Sequence, residues 1–367
     1  MTDMQKIVQD IADELVASGA ERGLQVAVYR RGELLADVVA GVADAATGRP
    51  FTSSTPVYAT STGKGVTAAV VHVLAERKVF SYDTPIAELW PEFGARGKER
   101  ATVRHALSHQ AGVPGVPEAT TPEDLCDWDL MCAAVADAEP WWEPGTRCGY
   151  HPQTFGYLLG EVVRRATGKR ISQVLEEEVA GPLGVSGELF FAVPEAELGR
   201  LARIEEVAPP VTPPPSLRNG IPFFRVVGGY TAAPMAAMPD AGFSNRRDVL
   251  TAEIPAGGTM TARAVARVYD ALLTDELVPP ARLRELSAPA VRGLDEVTGV
   301  EAAWGLGYAI GLTPGLAAPT VFGMPGSGGT VAFADTRTGL AVGILKNRIG
   351  DFATVDRIGS AVLSAAL

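Results

Sequence analysis

The chain has 367 residues, 47% of them hydrophobic and 20% charged, which is enough for two domains or one large one with well-buried cores and excludes a disordered chain. Lys and Arg number 32 against 43 Asp and Glu, a net charge of −11 that repels a phosphate backbone, so no nucleic-acid partner is expected. No apolar run approaches the roughly 18 residues of a membrane helix, and the opening MTDMQKIVQDIADELVASG lacks the basic start, apolar core and cleavage site of a signal peptide, so the expectation is a cytoplasmic protein without a membrane partner.

Met4, Ile7, Val8, Ile11 and Leu15 recur at helical spacing and predict a first helix ending near Gly19. Residues 24–44 form two β-rich runs around Arg30-Arg31-Gly32-Glu33, an antiparallel hairpin. A second helix is predicted from Ser61, with Val66, Ala69, Val70, Val73 and Leu74 on one face. From 81 to 184 the pattern is mostly helical, most clearly in Phe155, Leu158, Leu159, Val162, Val163 and Ala166 before Gly168. Between 205 and 259 the chain turns irregular, with Pro209, Pro210, Pro213, Pro214 and Pro215, then Gly228-Gly229 and Gly257-Gly258; the prolines read as a stiff surface loop rather than a PxxP ligand. Strand character returns at Trp304 to Ile310, Thr330 to Ala334 and Gly339 to Leu345, and Val355, Ile358, Val362 and Leu363 mark a last helix. No repeat is visible. Strands at both ends with helices between them predict an α/β (α+β) fold: an antiparallel sheet domain from residues 1–80 and 185–367, flanked by helices, with a helical domain, 81–184, inserted. Cys126, Cys132 and Cys148 are odd in number and show no CxxC spacing, so they are expected to be reduced packing residues, neither a disulfide framework nor a zinc knuckle.

The chemistry points to Ala59-Thr60-Ser61-Thr62-Gly63-Lys64-Gly65, where Ser-x-x-Lys stands at the mouth of the second helix and places Ser61 and Lys64 on one face. A serine hydroxyl needs a base at neutral pH, and a lysine at the positive end of a helix is disfavoured as an ammonium, so its pKa should fall. The same helix start offers backbone N–H groups to an oxyanion, and Gly63 and Gly65 leave room for close approach. A phosphate-loop reading fails, because Gly65 rather than Ser or Thr follows Lys64 and no glycine stands five residues before Gly63. The Gly-x-Ser-x-Gly elbow is absent.

Further strings follow in order: Asp83-Thr-Pro85 with Trp90-Pro91, Thr102 to Pro114 (TVRHALSHQAGVP), Pro144-Gly-Thr146 ahead of Tyr150, Gly156 to Glu161 (GYLLGE), Trp304-Gly-Leu-Gly307 and Gly323 to Gly329 (GMPGSGG). Together with Ser61-Thr-Gly-Lys64, the set resembles the serine β-lactamase-like hydrolases, including class C β-lactamases, family VIII carboxylesterases and related acyltransferases, over most of the chain. The resemblance implies a β-lactamase-like fold in which Ser61 is the acylated nucleophile, Lys64 its partner and Tyr150 the proton shuttle. A phenol and an amine that share a proton can activate a hydroxyl between them, and which of the two is the base stays open at this point. The resemblance also maps the family's third motif, on an edge strand, onto Met324-Pro325-Gly326, with Ser327 supplying the second oxyanion N–H beside that of Ser61. It brings the irregular 205–259 region near the site.

Two positions depart from the pattern. Tyr150-His151-Pro152 stands where Tyr-x-Asn is usual, and Met324 where a basic or aromatic residue is usual, and both weigh against β-lactam turnover. His72 lies eight residues beyond Lys64, about 12 Å along a helix, too far to serve Ser61. His105 and His109 have i, i+4 spacing, but no Glu follows His105 to make a zinc site, so no metal and no cofactor is expected. His151 adjoins Tyr150 and either tunes its proton, touches the substrate or sits in an exposed loop; the exposed loop is the expectation. Trp141 and Trp142 either line an acyl pocket or pack. The expected function is a serine carboxylesterase acting on a small-molecule acyl ester or amide. The alternative is an acyltransferase with an alcohol or amine acceptor; behind these come a β-lactamase, a D-amino-peptidase and a non-catalytic acyl- or peptide-binding module.

Overall fold

Along β1 (Gly23–Arg30), alternation sends Leu24, Val26 and Val28 to one face of a sheet and Gln25, Ala27 and Tyr29 to the other, and both sets are buried. A strand apolar on both sides belongs in the middle of a layered structure, and the computed structural model, which describes residues 4–206 and 220–366, places it there. β1 pairs with β2 (Glu33–Asp44) on one side and with β9 (Leu340–Lys346) on the other, so that Val26 lies opposite both Val38 and Ile344. The remaining strands are β3 (Arg49–Pro50), β4 (Val291–Leu294), β5 (Glu301–Trp304), β6 (Ala309–Ile310), β7 (Val321–Gly326) and β8 (Thr330–Asp335). They complete a nine-stranded antiparallel sheet in the order β4-β5-β6-β7-β8-β9-β1-β2-β3. An N-terminal hairpin is thus joined edge to edge with a C-terminal meander.

Helices cover both faces. On one, α1 (Met4–Ala17) and α6 (Ala353–Ala365) bury Val8, Ala12, Val355, Ile358 and Val362 against Leu24, Val26 and Val28. On the other lie α2 (Gly63–Glu76) and α5 (Ala262–Leu273), followed by a helical layer that includes α3 (Trp128–Asp137) and α4 (Thr154–Thr167). The antiparallel sheet flanked by helices that the sequence predicts is the observed arrangement.

Three local differences bear on function. The second helix begins at Gly63 after a 3₁₀ turn, Thr60–Thr62, and every residue from Gly63 to Ala75 is buried, where the spacing had suggested one apolar face. Small residues explain this: Gly65 leaves space that the Tyr269 hydroxyl fills, and Ala68 lies against the backbone of Gly307. The strand expected over Trp304 to Ile310 is two short ones, because Gly307 takes a left-handed φ of +86° as the chain passes α2. β7, which carries Met324 and Gly326, is not an outer strand of the sheet; its β6 neighbour reaches only as far as Gly323, so Met324 to Gly326 pair on one side alone. Pro209 to Pro215 lie outside the described residues.

Candidate active site

Thr60 has φ +46°, a left-handed conformation that a β-branched residue adopts only under constraint. The constraint comes from β7 and β8. The Thr60 hydroxyl donates to the Ser327 carbonyl at 2.8 Å, Thr330 Oγ1 donates to the Ala59 carbonyl at 3.0 Å, and Thr62 and Thr330 share a hydroxyl contact of 2.9 Å. Gly326 permits this approach, since a Cβ there would collide with Ala59 O and the Thr60 and Thr330 hydroxyls. The turn leaves Ser61 half-buried at the base of a cavity, with Lys64 one helical turn behind it.

The Ser61 hydroxyl oxygen accepts two hydrogen bonds, from Lys64 Nζ at 3.0 Å and from the Tyr150 hydroxyl at 2.8 Å. Lys64 is wholly buried, its Nζ also donates to the Ala256 carbonyl at 2.6 Å, and burial pulls its pKa down to about 7. Burial pushes the Tyr150 phenol in the other direction, well above its ordinary range, against the opposing hydrogen bond to Ser61. The expected fall in the Lys64 pKa is present, and loss of solvation drives it. The Tyr150 ring stacks on Trp304, with centroids 5.7 Å apart and planes 7° apart, and Lys64 Nζ sits 5.3 Å from the Tyr150 ring centre.

Ala256 is the contact that sequence reading missed. Its segment, Pro255 to Gly258, threads between α2 and α4 because both helices present glycines: a Cβ at Gly63 would collide with Gly257, and one at Gly156 with Ala256. Thr67 Oγ1 donates to the Pro255 carbonyl at 2.7 Å and secures it. The signal visible in the sequence is the Gly257-Gly258 pair.

The cavity above Ser61 holds about 300 Å³. Tyr58, Phe223, Ala233, Met238, Phe243, Trp304 and Met324 give it apolar walls, Tyr150, Pro152 and Ser327 also line it, and no charged side chain is among the described residues that line it. Gly326 is packed beneath the turn. His151 corrects an expectation: it is wholly buried rather than in an exposed loop, does not line the cavity, shares a short hydrogen bond (2.6 Å) between Nδ1 and the Gly149 carbonyl, and stacks on His109 with centroids 5.6 Å apart. Trp141 and Trp142 also lie outside the cavity. They pack behind its wall with Ala232 and Val297, because the loop after α3 runs beneath the segment that makes the wall.

The remaining histidines have other partners. His72 joins the Tyr82 hydroxyl (2.6 Å) and the Leu306 carbonyl (3.0 Å), and His105 caps the short helix Val103–Leu107 by accepting from the Thr102 N–H. His109 Nδ1 accepts from the His151 N–H at 3.2 Å. All three cysteines are free thiols; Cys132 and Cys148 are buried and Cys126 half-buried.

A half-buried serine beside a buried lysine in Ser-x-x-Lys spacing, joined by a tyrosine, can carry nucleophilic acyl chemistry, and similarity to known proteins agrees. The Beta-lactamase family profile matches residues 8–366. Esterase/beta-lactamase LipL of Mycobacterium tuberculosis is 34% identical over 338 residues, covering 89% of this chain and 77% of that protein. Esterase EstB of Burkholderia gladioli is 29% identical over 360 residues, with 89% and 86% covered. The crystal structure of a family VIII carboxylesterase superposes with a TM-score of 0.88 at 32% identity, covering 99% of this chain and 98% of that one. The chain belongs to the β-lactamase family and is an enzyme of that family.

Proposed function

We propose, with membership of that family as the premise, that the chain is a serine carboxylesterase that acylates Ser61 with an uncharged, apolar acyl ester. The observation that carries this reading is the Ser61 hydroxyl held between Lys64 Nζ and the Tyr150 hydroxyl at the base of a cavity with no charged side chain among the described residues that line it. Relatives named esterase and carboxylesterase support it.

In this mechanism the opposite displacements of the two pKa values separate the roles. With its pKa near 7, Lys64 is substantially a free amine at neutral pH, while Tyr150 keeps its proton. Lys64 takes the Ser61 proton as Oγ attacks the ester carbonyl, and the oxyanion forms against the backbone N–H groups of Ser61 and Ser327. Collapse of the tetrahedral adduct breaks the ester C–O bond, Tyr150 delivers its proton to the departing alkoxide, and the proton on Lys64 restores the phenol. Water then attacks the acyl carbonyl, the Lys64–Tyr150 pair takes its proton, and that proton returns to Ser61 Oγ as the acid leaves.

Met324 and Pro152 offer no hydrogen-bond donor to a substrate carboxylate or amide side chain, and their walls suit an alkyl chain. The test is p-nitrophenyl butyrate turnover together with intact-mass analysis. Turnover with a butyryl adduct on Ser61 is the expected result, and added alcohols or amines that appear as acylated products identify transfer instead of hydrolysis. Absence of both turnover and adduct across a series of nitrophenyl esters would sink the reading.

A further inference from the structure

We infer that Asp295 and Trp304 are positioning residues for Tyr150: one buried carboxylate fastens the Tyr150 backbone, the indole on which its ring stacks and the adjoining rim of the cavity. The inference rests on the role proposed for Tyr150 and deepens it.

Asp295 directly follows β4 and is wholly buried. Its carboxylate accepts from the Tyr150 N–H (3.0 and 2.9 Å), from the Val297 and Thr298 N–H groups (3.0 and 2.8 Å), and from Trp304 Nε1 (3.2 Å). These donors come from three separate stretches of chain, and Tyr150, Thr298 and Trp304 all border the cavity. The Tyr150 main chain and the Trp304 indole therefore hang from the same two oxygens, and the parallel stack of the two rings follows from that shared anchor.

Support for a role beyond shape comes from charge. Among the described residues no cation pairs with Asp295. A buried carboxylate stabilised only by neutral N–H donors places a full negative charge behind the phenol. The other groups that face Tyr150 are Lys64 from α2, Ser61, and His109 with its ring centroid 5.1 Å away; Cys148 and His151 flank it on its own segment. Burial holds both imidazoles far below their ordinary range, therefore neutral, and pushes the Cys148 thiol up to about 11. Burial is the main cause that disfavours a phenolate at Tyr150, and Asp295, the anion in this set, adds to it. In the proposed chemistry this keeps the proton on Tyr150, ready for the leaving alkoxide, while Lys64 gives its own up.

Asp295→Asn preserves volume and removes the charge. With an alkyl ester such as ethyl butyrate as probe, whose alkoxide needs the Tyr150 proton to leave, the expected result is a folded variant whose kcat falls by about 100-fold, whose KM stays near that of the wild type, and whose kcat declines at alkaline pH where that of the wild type stays level. Trp304→Phe keeps an aromatic plane for the stack but removes the indole N–H together with part of the ring system; its kcat should fall by about 10-fold, and it decides the question alone if Asp295→Asn does not fold. A folded Asp295→Asn with wild-type kcat and no alkaline decline, or a Trp304→Phe with unchanged kcat, overturns the inference. Tyr150→Phe is measured alongside: if it stays fully active, the proposed function itself fails, whereas an inactive Tyr150→Phe beside a silent Asp295→Asn removes only the role of Asp295.

Discussion

Among the described residues two lysines, Lys64 and Lys98, are wholly buried without an ion-pair partner, and they differ in what surrounds the nitrogen. Lys98 donates to three carbonyls, Ala95 and Ala136 at 2.9 Å and Ala138 at 2.6 Å, with the Phe93 ring 5.3 Å away. Ala136 and Ala138 sit at the C-terminal, partially negative end of α3, which favours an ammonium. Lys64 stands at the opposite kind of terminus, the N-terminal end of α2, with one carbonyl and one serine hydroxyl. Burial lowers both, Lys98 to about 8 and Lys64 to about 7. Three acceptors and a negative helix end make a structural clip; one acceptor, a positive helix end and a hydroxyl make a candidate base.

Substituting the two regions in parallel separates them most sharply. Ser61→Ala should lower nitrophenyl ester hydrolysis by on the order of 10⁴-fold or more with the circular dichroism melt unchanged. Lys64→Ala should approach that loss and should not add to Tyr150→Phe, since both act on one proton. Activity in Ser61→Ala above a tenth of wild type would end the site assignment.

A smaller effect comes from the cavity above Ser61, which has no charged side chain among the described residues that line it. A substrate polar group buried without a partner costs about 1–3 kcal/mol, and a β-lactam presents a carboxylate and an amide to Met324 and Pro152. The kcat/KM for a simple ester should therefore exceed that for nitrocefin by at least roughly 100-fold, and Met324→His should narrow the gap. Equal turnover of the two would show that these two residues do not set substrate choice.

The pH profile measures the Lys64 environment directly. A group with its pKa near 7 is protonated below that pH and cannot accept the Ser61 proton, so kcat/KM should rise from pH 6 to 8 by about 10-fold and then level off. An acid limb near pH 10 would mean that Lys64 is no different from an exposed lysine.

For Lys98 the expectation is a change in stability rather than rate. Lys98→Met leaves buried carbonyls unpaired and should lower unfolding stability by about 2–3 kcal/mol in denaturant melts, with kcat near that of the wild type. A large fall in kcat with no loss of stability would erase the distinction between the two lysines.

Parts of this were legible in the residues alone. Alternation marked the strands on either side of the turn Arg31-Gly32, and the three-residue spacing of Ser61 and Lys64 sets them on adjoining positions whatever the rest of the chain does. Tyr150 and Ser327 carry no such local signal and came from the ordered strings around them. Lys98 showed nothing, because a lysine in a polar stretch is ordinarily solvated and its three acceptors come from two places in the chain. Trp141, Trp142 and His151 misled for the same reason: nearness in sequence to Tyr150 or Pro144 says little about which side of a wall a ring will face.

The sequence by itself determined the local pieces, namely the helix that begins beside Ser61, the hairpin, the absence of an Asn after Tyr150 and the Met at 324, since each depends on a few neighbouring residues. Only the tertiary structure decided what surrounds Ser61 Oγ. Residues 61, 150, 256, 295 and 327 meet through contacts between segments far apart in the chain. The desolvation that moves Lys64 and Tyr150 in opposite directions is a property of that assembled interior, which no short stretch of chain possesses.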